Sequence, residues 1–126
     1  VFAAVDLCLV DLVQGHCQMI KTGAAPSWII RNGIAESITA PALPIGIVDE
    51  VRPGIIERTI EPGDTIVLLS DGIADLITKE ELPQWLGQVE QAESAAKAAE
   101  ELLAMARERA EGRDDMTAVV LRMQKR

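Results

Sequence analysis

The sequence predicts an α+β fold, in which antiparallel strand pairs come first and helices follow in the second half of the chain. Two dipeptides carry the strand prediction: Asn32-Gly33 and Pro62-Gly63 each separate β-branched or aliphatic runs, as hairpin turns do. Helical spacing of alanine and leucine appears only later, from Ala95 to Ala110. Strands that are followed by helices favour an α+β architecture.

Two hairpins are predicted in the first third of the chain. The first joins Phe2–Leu12 to Gln14–Thr22, and the second joins Ser27–Arg31 to Ala35–Thr39. Because the first strand is almost entirely apolar, we expect it to be central in a packed sheet or covered on both faces. The prolines of residues 41–46 favour an extended connection to the strands that follow.

A third hairpin is predicted between Ile55–Ile60 and Thr65–Leu69, with Pro62-Gly63 as its turn. The first of two helices is predicted from Lys79, with Thr78 as its N-cap and Glu81 in a capping box. The second helix carries a flat stripe of small residues that suits packing on a sheet, and residues 116–123 return as a strand.

Composition excludes several classes of function. The net charge of −8 argues against binding to nucleic acid or to an anionic membrane, because phosphates are bound by surplus lysine and arginine. No apolar run has the roughly 18 residues that a membrane span requires. Cys8 and Cys17 lack metal-ligand spacing, so we expect free thiols and a cytoplasmic location.

The start of the sequence suggests part of a longer protein, because Val1 enters a strand pattern directly.

Carboxylates follow or precede buried strands at two places in the sequence. Asp71 and Gly72 end the apolar run that starts at Thr65, and Asp114 and Asp115 precede the run of residues 118–121. Carboxylates at two strand ends, without a Cys/His cluster, suit a hard cation such as Mg²⁺ or Mn²⁺. The alternative is structural: Asp71 also suits a turn or a helix N-cap, and Asp114 and Asp115 also suit a solvated turn.

Four motifs occur in order along the sequence: Lys21-Thr-Gly-Ala-Ala-Pro-Ser-Trp28, Leu43-Pro-Ile-Gly-Ile47, Pro62-Gly-Asp-Thr-Ile-Val-Leu-Leu-Ser-Asp-Gly-Ile73 and Arg113-Asp-Asp-Met-Thr-Ala-Val-Val-Leu-Arg122. Together they resemble the metal-dependent serine/threonine phosphatases of the protein phosphatase 2C type, and among them the C-terminal phosphatase domain of the stage II sporulation protein E family. The resemblance covers nearly the whole chain. It implies a sandwich of two antiparallel sheets flanked by helices, of which residues 1–126 would be the C-terminal part of a single domain.

The same resemblance implies a metal site. Asp71 and Asp114 take the positions of metal ligands, Asp115 is the alternative ligand, and Gly72 supports the metal-binding loop. Two Mn²⁺ or Mg²⁺ ions would activate water for attack on a phosphoserine, with no catalytic residue beyond the metal ligands. Relatives carry an earlier Asp-Gly motif whose aspartate bridges the two metals, and that motif does not occur in this sequence.

The resemblance also implies a partner, a phosphorylated anti-sigma-factor antagonist whose dephosphorylation activates a sporulation sigma factor. A non-catalytic module that uses the same fold to bind a partner is the competing hypothesis. Because this chain lacks helices that would cover one sheet, we further expect residues 1–126 alone to self-associate as a dimer through the exposed sheet face.

Overall fold

The computed structural model describes residues 4–39, 54–110 and 115–124. Seven strands and three helices occur within these residues. They are β1 (Val5–Asp11), β2 (His16–Thr22), β3 (Ser27–Arg31), β4 (Ile34–Ile38), β5 (Gly54–Thr59), β6 (Thr65–Leu69), α1 (Asp71–Ala74), α2 (Leu82–Gln91), α3 (Ala95–Arg109) and β7 (Ala118–Arg122). The predicted connection at residues 41–46 and the predicted helix end at Gly112 lie outside the described residues.

The strands form two antiparallel sheets. The three-stranded sheet has the order β1-β2-β5, and the four-stranded sheet has the order β4-β3-β6-β7. Their facing sides share one core, which contains Cys17 and Met19 from the first sheet and Ile29, Ile66 and Leu68 from the second. The predicted antiparallel sandwich is therefore confirmed.

The helices cover the other side of the four-stranded sheet. Buried residues of α2 and α3 pack against Trp28, Val67 and Leu69, which alternate with the residues that face the first core. In α3 the buried side chains are Ala98, Leu102 and Ala106, so the small apolar stripe does lie on a sheet. The result is a layered arrangement of sheet, sheet and helices.

The predicted hairpin between β5 and β6 is wrong. The turn itself forms, since Asp64 N–H donates to the Glu61 carbonyl at 3.0 Å and Gly63 has a φ of 93°. However, β5 pairs with β2, whereas β6 pairs with β3 and β7. Residues 60–64 thus carry the chain from one sheet to the other.

Three further predictions need correction. β1 is not central but lies at the edge of its sheet within the described residues, and alternate side chains of β1 are exposed. The hydrogen bonds predicted between Thr78 and Glu81 form, but they close a turn over residues 78–81, and the helix predicted from Lys79 begins only at Leu82. The end of the apolar run at Gly72 predicts a sharp turn that uses the backbone freedom of glycine, but Gly72 lies in α1 without a positive φ.

The two cysteines are free thiols, as predicted. Cys8 and Cys17 face the core between the sheets, and their Sγ atoms are 3.5 Å apart. Burial, together with the neighbouring Cys17 thiol, raises the pKa of Cys8 to about 12. Both groups are therefore protonated near neutral pH.

Candidate metal-binding site

The most buried strand of the protein ends at the candidate site. All five residues of β6 are buried, and the strand is followed by Ser70 in an extended conformation. Asp71 then begins the four-residue helix α1, where its side chain is exposed. Buried Ile73 anchors this helix in the core. Asp71 is thus an exposed carboxylate on a rigid support.

Two hydrogen bonds bring the second acidic segment beside the first. Ser70 N–H donates to the Thr117 carbonyl at 2.9 Å, and Thr117 N–H donates to the Ser70 hydroxyl oxygen, also at 2.9 Å. Asp115 lies two residues before Thr117 and is exposed. The segments that carry Asp71 and Asp115 therefore meet at one end of the sandwich, which we call the acidic end. Asp114 lies outside the described residues.

The donor chemistry at the acidic end fits a hard cation. Asp71 and Asp115 offer carboxylate oxygens, which Mg²⁺ and Mn²⁺ accept as ligands. Within residues 4–39, 54–110 and 115–124, no group of three or more acidic, histidine or cysteine side chains could hold a metal ion. The described residues thus bring two exposed carboxylates, those of Asp71 and Asp115, to one end of the sandwich.

A buried polar cluster lies beneath the acidic end, and the sequence analysis did not identify it. Lys21 Nζ donates to Asp6 Oδ1 at 2.9 Å and to the Ser27 hydroxyl at 2.7 Å. Ser27 is paired with Leu68 of β6, two residues before Ser70. Alternation along β2 could have predicted that Lys21 is buried, because Lys21 lies on the same face as buried Cys17 and Met19.

Comparisons with known proteins bear on this site. The sequence profile of the stage II sporulation protein E (SpoIIE) family matches residues 1–124. Stage II sporulation protein E of Bacillus subtilis is 33% identical over 73 residues, which are 58% of this chain and 9% of that protein.

The fold is similar to solved phosphatase structures. The phosphatase domain of SpoIIE from Bacillus subtilis, presoaked with Mn, superimposes with a TM-score of 0.77 at 25% identity, covering 98% of this chain and 58% of that chain. That domain is of the PP2C type. The catalytic domain of the serine/threonine phosphatase PstP, in complex with two manganese ions, gives a TM-score of 0.67 at 21% identity, covering 93% of this chain and 57% of that chain.

These similarities settle the fold and the family. The chain has a PP2C-like α+β fold and spans about 58% of the solved SpoIIE phosphatase domain. Among the described residues, no helix is both long and apolar enough to cross a membrane. With a family profile that matches residues 1–124, the chain belongs to the stage II sporulation protein E family.

Proposed function

We propose that this chain is the C-terminal part of a metal-dependent phosphoserine protein phosphatase domain. The single observation that supports this most directly is the pair of hydrogen bonds between Ser70 and Thr117, because it joins the segments of Asp71 and Asp115. Membership of a family with a PP2C-type phosphatase domain supports the reaction class.

The proposed roles follow from position and donor type. Asp71 and Asp114 hold the metal ions through carboxylate oxygens, and Asp115 is the alternative ligand. Ser70 fixes the spacing between the two segments, and Gly72 leaves no side chain beside Asp71. Two Mn²⁺ or Mg²⁺ ions, when bound, supply a water of lowered pKa and neutralise charge on the phosphoryl group. No other side chain of this chain acts as nucleophile or base in the proposal.

The proposed substrate is a phosphorylated anti-sigma-factor antagonist, whose dephosphorylation activates a sporulation sigma factor in the cytoplasm. Family membership is the support for this substrate. The chain spans 58% of the solved SpoIIE phosphatase domain, so further ligands would come from the remainder of such a domain. Affinity for these cations rises with the number and charge of the ligands. Residues 1–126 alone should therefore show little turnover.

The test is phosphate release from a phosphoserine protein by the full-length protein in the presence of Mn²⁺. Asp71→Asn should reduce turnover by about 100-fold or more, since it removes the charge of a metal ligand. Asp75→Asn is the matched control, because Asp75 is an exposed aspartate at the C-terminal cap of the same helix. Its turnover should stay within about twofold of the unmodified protein.

Normal turnover in a folded Asp71→Asn protein would refute the assignment. If the unmodified full-length protein is folded and binds Mn²⁺ but releases no phosphate, the competing hypothesis of a partner-binding module is favoured. Circular dichroism of each variant separates loss of function from loss of fold.

A further inference from the structure

A lysine is completely buried between the two sheets. The Lys21 side chain is 0% exposed, and its ammonium group bridges Asp6 of β1 and Ser27 of β3. Asp6 and Lys21 belong to the three-stranded sheet and Ser27 to the four-stranded sheet. The cluster of these three residues, here called the Lys21 bridge, is thus a polar connection between the sheets.

The Lys21 bridge lies directly below the acidic end. Ser27 is paired with Leu68, and Leu68 and Ser70 lie on the same side of their extended segment because side chains alternate. The Ser70 hydroxyl in turn accepts the hydrogen bond from Thr117. The bridge and the hydrogen bond between Ser70 and Thr117 therefore lie in adjacent side-chain layers.

Packing alone does not account for an ion pair at this position. The adjacent layers between the sheets contain apolar or weakly polar side chains such as Met19, Ile29 and Ile66. A buried ion pair gives little net stability compared with apolar residues of the same size, since the Lys21 ammonium loses its hydration and Asp6, 21% exposed, loses most of its own. The hydrogen bonds of the ion pair instead restrict geometry, because they fix the distance and angle between groups more narrowly than apolar contacts do.

We propose that Lys21 is a positioning residue for the metal site. By joining Asp6 to Ser27, it fixes the separation of the two sheets beneath Ser70 and so sets where Asp71 and the segment of Asp115 lie. This inference rests on the proposed function, because it assumes that the acidic end binds the metal ions. It adds a role that acts through other residues, with no contact between Lys21 and the metal.

The experiment measures Mn²⁺ dissociation constants of the full-length protein from the electron paramagnetic resonance signal of free Mn²⁺. The double variant Lys21→Met/Asp6→Leu replaces the pair with apolar side chains and leaves no unpaired charge. Its thermal midpoint should stay near that of the unmodified protein. Its Mn²⁺ affinity should be about tenfold weaker, and kcat should fall while KM for the phosphoprotein is unchanged.

The control is an ion pair that itself joins the two sheets, at a position away from the acidic end. Arg58 of β5 and Glu36 of β4 are 2.8 Å apart, but both side chains are substantially exposed. Arg58→Gln/Glu36→Gln removes this pair and should leave Mn²⁺ affinity unchanged. Ser27→Ala is the minimal change to the bridge and keeps the Lys21–Asp6 pair; it should weaken Mn²⁺ binding about threefold.

Mn²⁺ affinity equal to that of the unmodified protein in the double variant would show that the bridge has a structural role only. If the double variant does not fold, unchanged affinity in folded Ser27→Ala overturns the proposal. Asp71→Asn in the same assay separates the two claims. If that variant binds Mn²⁺ normally, the proposed function fails; if it alone loses binding, only the positioning role fails.

Discussion

Ser70 joins β6 to the residue that precedes β7 through both its backbone and its side chain. The hydroxyl oxygen is the acceptor for Thr117 N–H, so its removal leaves that backbone donor without its partner. Because the proposed metal ligands flank these two residues, the effect of losing the bond should appear in Mn²⁺ binding before it appears in overall stability.

We therefore expect Ser70→Ala to weaken Mn²⁺ binding by about tenfold in the full-length protein. Ser70→Thr keeps the hydroxyl and should restore most of the affinity. Ser37→Ala, at an exposed position of β4, is the control. Mn²⁺ titration of turnover provides the measurement, and equal titration curves for Ser70→Ala and Ser37→Ala would contradict the role of the hydroxyl.

Asp64 is a second residue whose hydrogen bonds have a testable consequence, here for the dependence of stability on pH. It is 1% exposed and accepts hydrogen bonds from Arg31 Nε at 2.9 Å, Arg31 Nη2 at 2.7 Å and Glu61 N–H at 2.8 Å. Burial alone would raise the pKa of this carboxyl group, but these hydrogen bonds outweigh it, and the pKa is lowered. Asp64 thus stabilises the corner between β5 and β6 in its charged form.

The lowered pKa predicts how stability depends on pH. The stabilisation by Asp64 is complete above the ordinary aspartate pKa of about 4 and is lost as the pH falls through the lower native pKa. Asp64→Asn should reduce the free energy of unfolding by about 1–3 kcal/mol at pH 7, because partly exposed Arg31 keeps some hydration. In urea titrations, the difference from the unmodified protein should narrow below pH 4. A difference that is constant or widens in acid would contradict this account.

At the scale of elements, the sequence predicted local pairing but not the partner of β5. The hairpins β1–β2 and β3–β4 were predictable because their strands are joined by short turns. The turn at Pro62-Gly63 was also predicted, yet it connects two sheets. Hydrophobic patterns report which residues are buried and how the chain turns. They do not report which distant strand completes a sheet, here β2 for β5 and β7 for β6.

Two glycines in different elements should respond oppositely to alanine. Gly15 has a φ of 64°, and an added Cβ would lie 2.9 Å from the Ile60 carbonyl oxygen. Gly87 lies within α2, where an added Cβ meets nothing within 4 Å. Gly15→Ala should destabilise the protein by about 1–2 kcal/mol, and Gly87→Ala should stabilise it by about 0.5–1 kcal/mol. Urea unfolding of both variants tests the pair, and the same sign of change in both would be inconsistent with it.

Part of the candidate site was predictable from sequence, because it depends on local patterns along the chain and not on which distant strands pair. A carboxylate next to a buried strand must lie at the end of that strand, which located Asp71 and Asp115. The Lys21 bridge was not predictable, because its three members come from different strands and only the pairing of β3 with β6 places them below Ser70. The sequence showed Ser70 only as a member of the motif of residues 62–73 and did not predict its hydrogen bonds with Thr117.

At the scale of the whole molecule, one sheet face is uncovered within the described residues. Leu7, Leu9 and Ile55 are 50%, 56% and 58% exposed, and they lie on the side of the three-stranded sheet that faces away from the core. Leu7 and Ile55 both oppose Ile20 of the central strand, so these three residues form an apolar row across the sheet, with Leu9 next to Leu7 on β1. Burial of such a row is favourable in water.

Residues 1–126 alone should therefore self-associate through this face, as a symmetric dimer. Leu7→Lys places a charge in the apolar row and should shift the chain to monomers. Val13→Lys is the control, because Val13 is 94% exposed but lies in the turn between β1 and β2. Sedimentation over a wide range of concentrations measures both variants. A chain that stays monomeric without any substitution would contradict this prediction.

The most direct test of the metal site is Mn²⁺ binding by full-length proteins that carry Asp71→Asn, Asp114→Asn or Asp115→Asn. We expect the first two variants to lose measurable affinity, whereas Asp115→Asn should bind Mn²⁺ more weakly than the unmodified protein but retain binding. Thermal unfolding should confirm that all three are folded. Mn²⁺ affinity in the Asp71→Asn protein equal to that of the unmodified protein would show that the acidic end is not a metal-binding site.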